Sequence, residues 1–161
     1  AQGGQLALLG SGDAPLEAAF RKRAAAAPKS VSVTLGYSEP LAHRLFGAGD
    51  VTLVPSRFEP CGLTQMYGLK YGSLPLVHRV GGLSDTVTDS TLEDLEAGTA
   101  TGFCFERFTV ADYQRAQRRA FALYRRPDDW RAVRANAMRR PADWATAAQG
   151  YLAVYRQALG S

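Results

Sequence analysis

Residues 55–72 read Pro55-Ser56-Arg57-Phe58-Glu59-Pro60-Cys61-Gly62-Leu63-Thr64-Gln65-Met66-Tyr67-Gly68-Leu69-Lys70-Tyr71-Gly72, and the fold prediction starts from them. The apolar, β-branched run at 51–54 just before them is typical of a buried strand. Pro55 ends that strand, and Pro60 and Gly62 delay the next helix until about Leu63. Apolar residues at helical spacing then predict a helix that ends at Gly72.

A second apolar run follows this helix at 74–77 and predicts another buried strand, with Gly81 and Gly82 a few residues beyond it. Glu59 therefore lies on a loop between the C-terminal end of a strand and the N-terminus of a helix. Parallel α/β sheets bind anionic ligands at such loops, because free N–H groups and the positive end of the helix dipole face the ligand. The sequence predicts a phosphate-binding loop beside a carboxylate.

Strand and helix patterns alternate along the whole chain. This alternation predicts an α/β fold, a Rossmann-like parallel sheet with helices on both faces. The predicted strands are 5–9, 31–35, 51–54, 74–77 and 102–105. The predicted helices are 13–25 (capped by Asp13), 39–46 (closed by Gly47), 63–71, 110–126, 128–138 and one from Trp144 onward. Residues 85–101 are predicted to form a long loop.

Two runs, Glu59–Gln65 and Gly81–Val87, closely resemble the bacterial and plant-type glycogen (starch) synthases. These are the ADP-glucose-using members of the two-domain GT-B glycosyltransferases. Many retaining GT-B enzymes place a second glutamate eight positions after the first; here that position is Tyr67, which matches the synthase subgroup. The resemblance covers nearly the whole chain but only most of the C-terminal, donor-binding half of a synthase. It implies that the N-terminal domain and the first strand–helix unit of this domain are missing.

The resemblance also divides the chain. Residues 1–143 are expected to form a partial nucleotide-sugar-binding, Rossmann-like domain. Residues 144–161 are expected to form an amphipathic helix that crosses toward the absent N-terminal domain. The apolar stripe of that helix comprises Trp144, Ala147, Ala148, Tyr151, Leu152, Tyr155 and Leu159.

For the parent protein, the resemblance implies retaining glucosyl transfer from ADP-glucose to the 4-OH at a non-reducing α-1,4-glucan end. The acceptor would bind through the absent domain, so the 161 residues alone are expected to be inactive. Glu59 is the implied catalytic residue, and orienting the sugar is preferred to nucleophilic attack, which the sequence leaves open. The other implied donor-binding residues are Tyr37 (stacking on adenine), Cys61 (near the sugar) and Gly62, Leu63 and Thr64 (N–H groups that hold the phosphates). From the residues alone, a half-buried packing role stays open for Tyr37 and an inert loop thiol stays open for Cys61.

Gly10, Ser11 and Gly12 follow the first predicted strand. A dinucleotide-binding fingerprint would have glycine or alanine three places after Gly12, where Pro15 stands, so the pattern argues against NAD. The residues indicate a strand-to-helix turn, and the resemblance implies that this turn lies beside the donor cleft. His43, on a predicted helix, is interpreted as a packing residue, since no nucleophile is near it in sequence.

Composition narrows the remaining functions. The net charge of +4 raises nucleic acid as a partner, but the arginines are scattered over helices without exposed aromatic residues among them, which favours a solvated surface and no nucleic acid. No segment has the apolar length of a membrane span, and the polar residues at 1–4 predict no signal peptide. Cys61 and Cys104 are interpreted as reduced thiols of a cytoplasmic protein. No metal or other cofactor is expected, because N–H groups and cationic side chains can stabilise a leaving diphosphate.

Two other functions stay open: a GT-B enzyme that uses another nucleotide sugar, and a non-catalytic nucleotide- or glucan-binding module. The missing strand has a structural consequence as well. In the order of the family's sheet it is central, flanked by strands 5–9 and 51–54, and unpaired strand edges are costly. The 161 residues alone are therefore not expected to form a stable monomer with the complete sheet. Three alternatives stay open: the missing segment is present outside these 161 residues, the sheet edges pair with another molecule in a non-native oligomer, or the strands close up in a changed order.

Overall fold

The computed structural model describes residues 3–141 and 144–160, and the chain divides into two compact units, Ala1–Gly49 and Asp50–Ser161. In the first unit, strands β1 (Leu6–Gly10) and β2 (Val31–Leu35) pair in parallel, with Leu6 opposite Val31. Helix α1 (Ala14–Ala26) joins the two strands, and helix α2 (Glu39–Ala48) follows β2. The predicted strand–helix alternation is confirmed in this unit.

The second unit contains a three-stranded parallel sheet in the order β3-β4-β5. The strands are β3 (Val51–Val54), β4 (Leu74–His78) and β5 (Phe103–Phe105). The helices are α3 (Thr64–Tyr71), α4 (Gly81–Thr86), α5 (Leu92–Glu96), α6 (Val110–Tyr124), α7 (Pro127–Arg139) and α8 (Trp144–Leu159). None of the described helices is both long enough and apolar enough to cross a membrane.

Both faces of this sheet are covered, as the alternation of side chains along β4 shows. Successive strand residues point to opposite faces. Leu74 and Leu76 pack in a cluster with residues of α3, α6 and α7, whereas Val77 packs in a second cluster with Leu83 of α4 and Cys104 of β5. All five residues of β4 are buried, which is typical of a parallel strand covered on both sides. The predicted α/β architecture is confirmed.

Gly72 ends α3 as the sequence predicts. It adopts the left-handed conformation at φ 72°, which lets its N–H donate to Leu69 O and the Ser73 N–H donate to Gly68 O. The chain can then turn directly into β4. This tight connection places the N-terminus of α3 near the C-terminal ends of the strands, where the Glu59 loop lies.

Two predictions about the ends of helices are wrong. The Asp13 side chain does not cap α1; the Gly12 N–H donates to Glu17 Oε1 at 3.0 Å instead. Helix α2 does not close at Gly47 but continues to Ala48, and Gly49 donates its N–H to Leu45 O. A glycine inside a helix costs only about 1 kcal/mol relative to alanine, so α2 tolerates Gly47 and ends at the next glycine.

The prediction of a continuous loop over 85–101 is also wrong. The last two residues of α4 and all of α5 lie within it, and Asp89 forms a parallel bridge with Gly102. Thr91 starts α5 because its hydroxyl accepts a hydrogen bond from the Asp94 N–H at 3.1 Å. A threonine followed three residues later by an acidic residue is a helix-start signal that outweighs the polar composition of this segment.

Among the described residues, β1 pairs with β2 alone and β3 pairs with β4 alone. The predicted empty slot beside β1 and β3 stays a prediction. Helix α8 exposes large apolar side chains, namely Tyr151, Leu152, Val154, Tyr155 and Leu159. The side chains of Trp144 and Ala147, predicted on the same stripe, and the predicted boundary at Asp143 lie outside the described residues. The course of α8 toward another domain also stays a prediction.

Candidate donor-binding site

The Glu59 loop begins where β3 ends. Glu59 is half-buried, and the Ser56 hydroxyl donates a hydrogen bond to its Oε2 at 3.2 Å. This bond restricts the carboxylate within a loop that has proline at Pro55 and Pro60. The carboxylate is therefore held in place by its own loop while it remains accessible to solvent.

Gly81 and Gly82 bring the start of α4 against this loop. The Gly82 N–H donates to Glu59 O at 3.1 Å. A Cβ atom on Gly81 would collide with Glu59 O, and one on Gly82 would collide with Cys61 O. The two sequence runs that carry the family resemblance therefore contact each other through their backbones, and any side chain at 81 or 82 would push them apart.

Gln65 also connects the Glu59 loop to α4. Its side chain is fully buried, and its Nε2 donates to Cys61 O at 3.1 Å and to Gly62 O at 2.7 Å. Its Nε2 also lies 3.1 Å from the Thr86 hydroxyl, which donates to Gly82 O at 2.6 Å. The sequence motif contained Gln65, but its structural role could not be inferred from spacing alone. It fixes the carbonyl groups of Cys61 and Gly62 by hydrogen bonds from a buried side chain.

The N-terminus of α3 leaves backbone donors free. Gly62 has φ 72°, and the N–H groups of Gly62, Leu63 and Thr64 have no acceptor among the described residues. Leu63 and Thr64 are exposed, as is the thiol-bearing residue Cys61. Free N–H groups at a helix N-terminus, together with the helix dipole, suit a phosphate group. The structure thus brings Glu59, Cys61 and the three predicted N–H donors together on one loop.

His78 also holds this loop in place. It was not predicted from the sequence, in which only His43 was considered. His78 ends β4, is buried, and places Nδ1 2.8 Å from Ser56 O and Nε2 3.1 Å from Glu106 O. The available signal was a titratable residue at the end of an otherwise apolar strand. His43 lies on α2, with Nε2 3.9 Å from Glu39 Oε1.

The candidate residues of the first unit gather at the C-terminal ends of its two strands. Gly10 ends β1, and Ser11 and Gly12 follow it. Tyr37 follows β2, and the Gly36 N–H donates to Gly10 O at 3.0 Å. The Tyr37 side chain is 88% exposed, so the alternative interpretation as a half-buried packing residue is wrong. An exposed aromatic ring beside a glycine-rich turn is available for stacking.

A cavity of about 570 Å³ lies elsewhere, beside β5 and α6, and none of the predicted site residues lines it. Here the Asp89 carboxylate accepts the Cys104 N–H at 2.8 Å, and Arg119 donates to Cys104 O at 2.7 Å and to Asp89 at 2.9 Å. The ion pair thus covers the backbone of β5. Burial, with a smaller contribution from Asp89, raises the pKa of the Cys104 thiol to about 11. Cys104 is a core residue.

Arginines in and next to α6 and α7 pair with nearby carboxylates. Arg115 pairs with Asp112, and Arg126 bonds Asp129 at 2.6 Å. The Arg107 side chain, by hydrogen bonding, lowers the pKa of Asp112 to about 2. These local pairs support the interpretation of a solvated surface. Within the described residues, no group of three or more His, Cys, Asp or Glu side chains could hold a metal ion.

Comparisons with known proteins agree with this geometry, although no family model matches the chain. A glycogen synthase from Variovorax paradoxus is 76% identical over 161 residues, 100% of this chain and 32% of that protein. A glycogen synthase from Francisella philomiragia is 59% identical over 156 residues, 97% of this chain and 32% of that protein. The catalytic domain of starch synthase IV from Arabidopsis thaliana, solved with ADP and acarbose, matches with a TM-score of 0.85 and 32% identity. That match covers 99% of this chain and 33% of the other.

The parallel sheets with their helices match the GT-B glycosyltransferases, which is the structural class of the chain. Within that class the chain is similar along its whole length to glycogen synthase, and it spans about a third of the length of the curated relatives it matches. The family resemblance drawn from the two sequence runs is confirmed.

Proposed function

We propose that the full-length protein containing this chain transfers glucose from ADP-glucose to the 4-OH of a non-reducing α-1,4-glucan end, with retention at the anomeric carbon. The observation that carries this proposal is the loop at 59–65, where free backbone donors lie beside a restricted carboxylate. The 76% identity to a glycogen synthase supports the reaction class. The ADP and acarbose bound in the starch synthase structure support a donor and an acceptor of this chemistry.

Glucosyl transfer requires the bond between the anomeric carbon and the diphosphate to break, which leaves negative charge on the departing oxygens. The N–H groups of Gly62, Leu63 and Thr64 would stabilise that charge as fixed donors at a helix N-terminus. Glu59 would bond the glucose hydroxyls and place its negative charge near the developing positive charge on the sugar. Cys61 would contact the sugar. No step in this scheme needs a metal ion, and we propose that none is used.

Tyr37 is proposed to stack on the adenine ring, because its side chain is 88% exposed beside a strand end. The Gly10-Ser11-Gly12 turn would face the donor through its backbone. The glucan acceptor would bind outside residues 1–161, so these residues alone should transfer no glucose. We also propose a cytoplasmic location, since Cys61 and Cys104 are both free thiols.

The test is a steady-state assay of the purified full-length protein with glycogen and a panel of nucleotide sugars. ADP-glucose is expected to be the preferred donor, with chain elongation measured by incorporation of labelled glucose. Preference for another nucleotide sugar would contradict the donor assignment. Binding of ADP and glucan without any transfer would contradict the enzymatic function as a whole.

Substitution of the carboxylate tests the role of Glu59. Glu59→Gln should lower kcat far more than it weakens ADP binding, because the carboxylate acts on charge that develops in the transition state. An order of about 10²–10³-fold is expected for a lost electrostatic contact of this kind. Glu96→Gln, an exposed carboxylate on α5, is the matched control and should leave both values unchanged. Equal losses in kcat and ADP affinity would assign Glu59 a structural role.

A further inference from the structure

His78 is a buried histidine at the C-terminal end of the parallel strand β4. Its side chain is buried, and its ring stacks on Phe105 with centroids 5.1 Å apart and meets the edge of Phe108 at 5.2 Å. Both ring nitrogens face backbone carbonyl oxygens: Nδ1 faces Ser56 O at 2.8 Å and Nε2 faces Glu106 O at 3.1 Å. His78 therefore connects the loop after β3 to the loop after β5.

The two partners of His78 can only accept hydrogen bonds. A neutral imidazole has one N–H and one lone pair, so it can donate to one carbonyl and must turn its lone pair toward the other. Each ring nitrogen lies against one of the two carbonyl groups, so the ring sets the distance between the loop after β3 and the loop after β5.

Ser56 connects His78 to the carboxylate of Glu59. Its carbonyl oxygen accepts from His78, and its hydroxyl donates to Glu59 Oε2 at 3.2 Å. Any shift of the Ser56 backbone moves the hydroxyl that restricts Glu59. On the opposite side, the Arg57 guanidinium lies 5.0 Å from the centre of the Phe108 ring, which adds a second contact between the same two loops.

We propose that His78 is a positioning residue: through Ser56, it fixes the carboxylate of Glu59 for glucosyl transfer. The inference rests on the proposed function, and it adds a residue to it that neither the motif nor the family resemblance assigned. His78 does not touch the donor. It acts through its two ring nitrogens, which lie against Ser56 O and Glu106 O and link the Glu59 loop to the 106–109 loop.

The test uses the full-length protein and two substitutions. His78→Phe keeps an aromatic ring between Phe105 and Phe108 but removes both ring nitrogens, and kcat should fall about 10²-fold, the cost of a misplaced reacting group. Ser56→Ala removes only the hydroxyl and should lower kcat roughly tenfold, as for a lost hydrogen bond to a charged group. In both variants the KM for ADP-glucose should change little. His78→Arg, which supplies N–H donors for both carbonyl groups, should restore most of kcat.

The double variant separates this role from simple packing. If His78 acts through Ser56, His78→Phe combined with Ser56→Ala should lower kcat by about the His78→Phe factor alone, because the second change has nothing left to disturb. Factors that multiply would overturn the proposal. So would unchanged kcat in Ser56→Ala, a result that decides the matter even if His78→Phe fails to fold. A wild-type protein that transfers no glucose from ADP-glucose would instead overturn the proposed function on which the inference rests.

Discussion

The two compact units differ sharply in how they bury apolar residues. In Asp50–Ser161, Leu74, Leu76 and Phe103 have no exposed surface, and they belong to a cluster that spans the sheet and three helices. In the described part of Ala1–Gly49, no residue is fully buried, and Leu16 on α1 is 58% exposed. The second unit therefore has a hydrophobic core of its own, whereas the first does not enclose one.

This difference explains where a precise site can be built. The Glu59 loop rests on β3 and β4 and is fixed by Gln65, Gly82 and His78. All three residues belong to the second unit, which has the hydrophobic core. Loops on a packed scaffold hold catalytic groups more accurately than loops without one. The exposed ring of Tyr37, on the other unit, suits a contact that tolerates adjustment, such as stacking on a base.

The largest expected effect comes from removing core volume. Leu76→Ala should destabilise the second unit by about 2–5 kcal/mol, because it leaves a cavity in a fully buried position. Leu16→Ala, the matched change in the first unit, removes a side chain that is 58% exposed within residues 1–161 and should cost less than Leu76→Ala. The free energy of opening at the amides of β4 and β1, measured by hydrogen exchange in the full-length protein, checks both values. Equal losses at the two positions would remove the contrast between the units.

The next largest loss of stability is expected where a glycine contacts the Glu59 loop. Gly82→Ala should cost about 1–3 kcal/mol, since the new methyl group collides with the backbone of Cys61. Gly12→Ala is the control in the first unit, where no atom lies within 4 Å of the new Cβ and the φ angle is ordinary. Thermal melting of the two variants in the full-length protein compares them. If Gly82→Ala melts like the wild type, the close contact of α4 with the Glu59 loop is not required.

The smallest effect concerns acid stability. The Arg107 side chain lowers the pKa of Asp112 to about 2, so the folded state favours the ionised carboxylate. The stabilisation is present above the ordinary pKa of an aspartate and is lost as pH falls from about 4 toward 2. Asp112→Asn should flatten this part of the stability–pH curve for the second unit. Melting temperatures measured between pH 2 and 6 would contradict the assignment if wild type and variant run parallel.

Much of the fold could be predicted because the chain marks its turns clearly. The strand at 51–54, the helix end at Gly72 and the buried strand β4 follow from β-branched runs and glycine placement. The end of α2 was predicted wrongly because a helix can contain one glycine, here Gly47, without ending there. The helix α5 was missed because its start depends on one hydrogen bond from Asp94 to Thr91, which a polar composition hides.

The site was predictable in part for a related reason. Glu59 and the N–H groups of the α3 N-terminus could be inferred from a motif that is contiguous in sequence. The support of the loop could not, because His78 is 22 residues from Ser56 and Thr86 is 21 residues from Gln65 along the chain. Such contacts depend on the register of β3 against β4, which no local pattern specifies. The close approach of Gly82 to Cys61 depends on the same register.

The most direct test of the central claim is amide hydrogen exchange of the full-length protein with and without ADP. If the N-terminus of α3 holds the diphosphate, exchange at Gly62, Leu63 and Thr64 should slow when ADP is bound, because these N–H groups then have acceptors. Amides of α6 beside the 570 Å³ cavity should not change. Protection at α6 with none at residues 62–64 would contradict the assignment of the donor-binding loop.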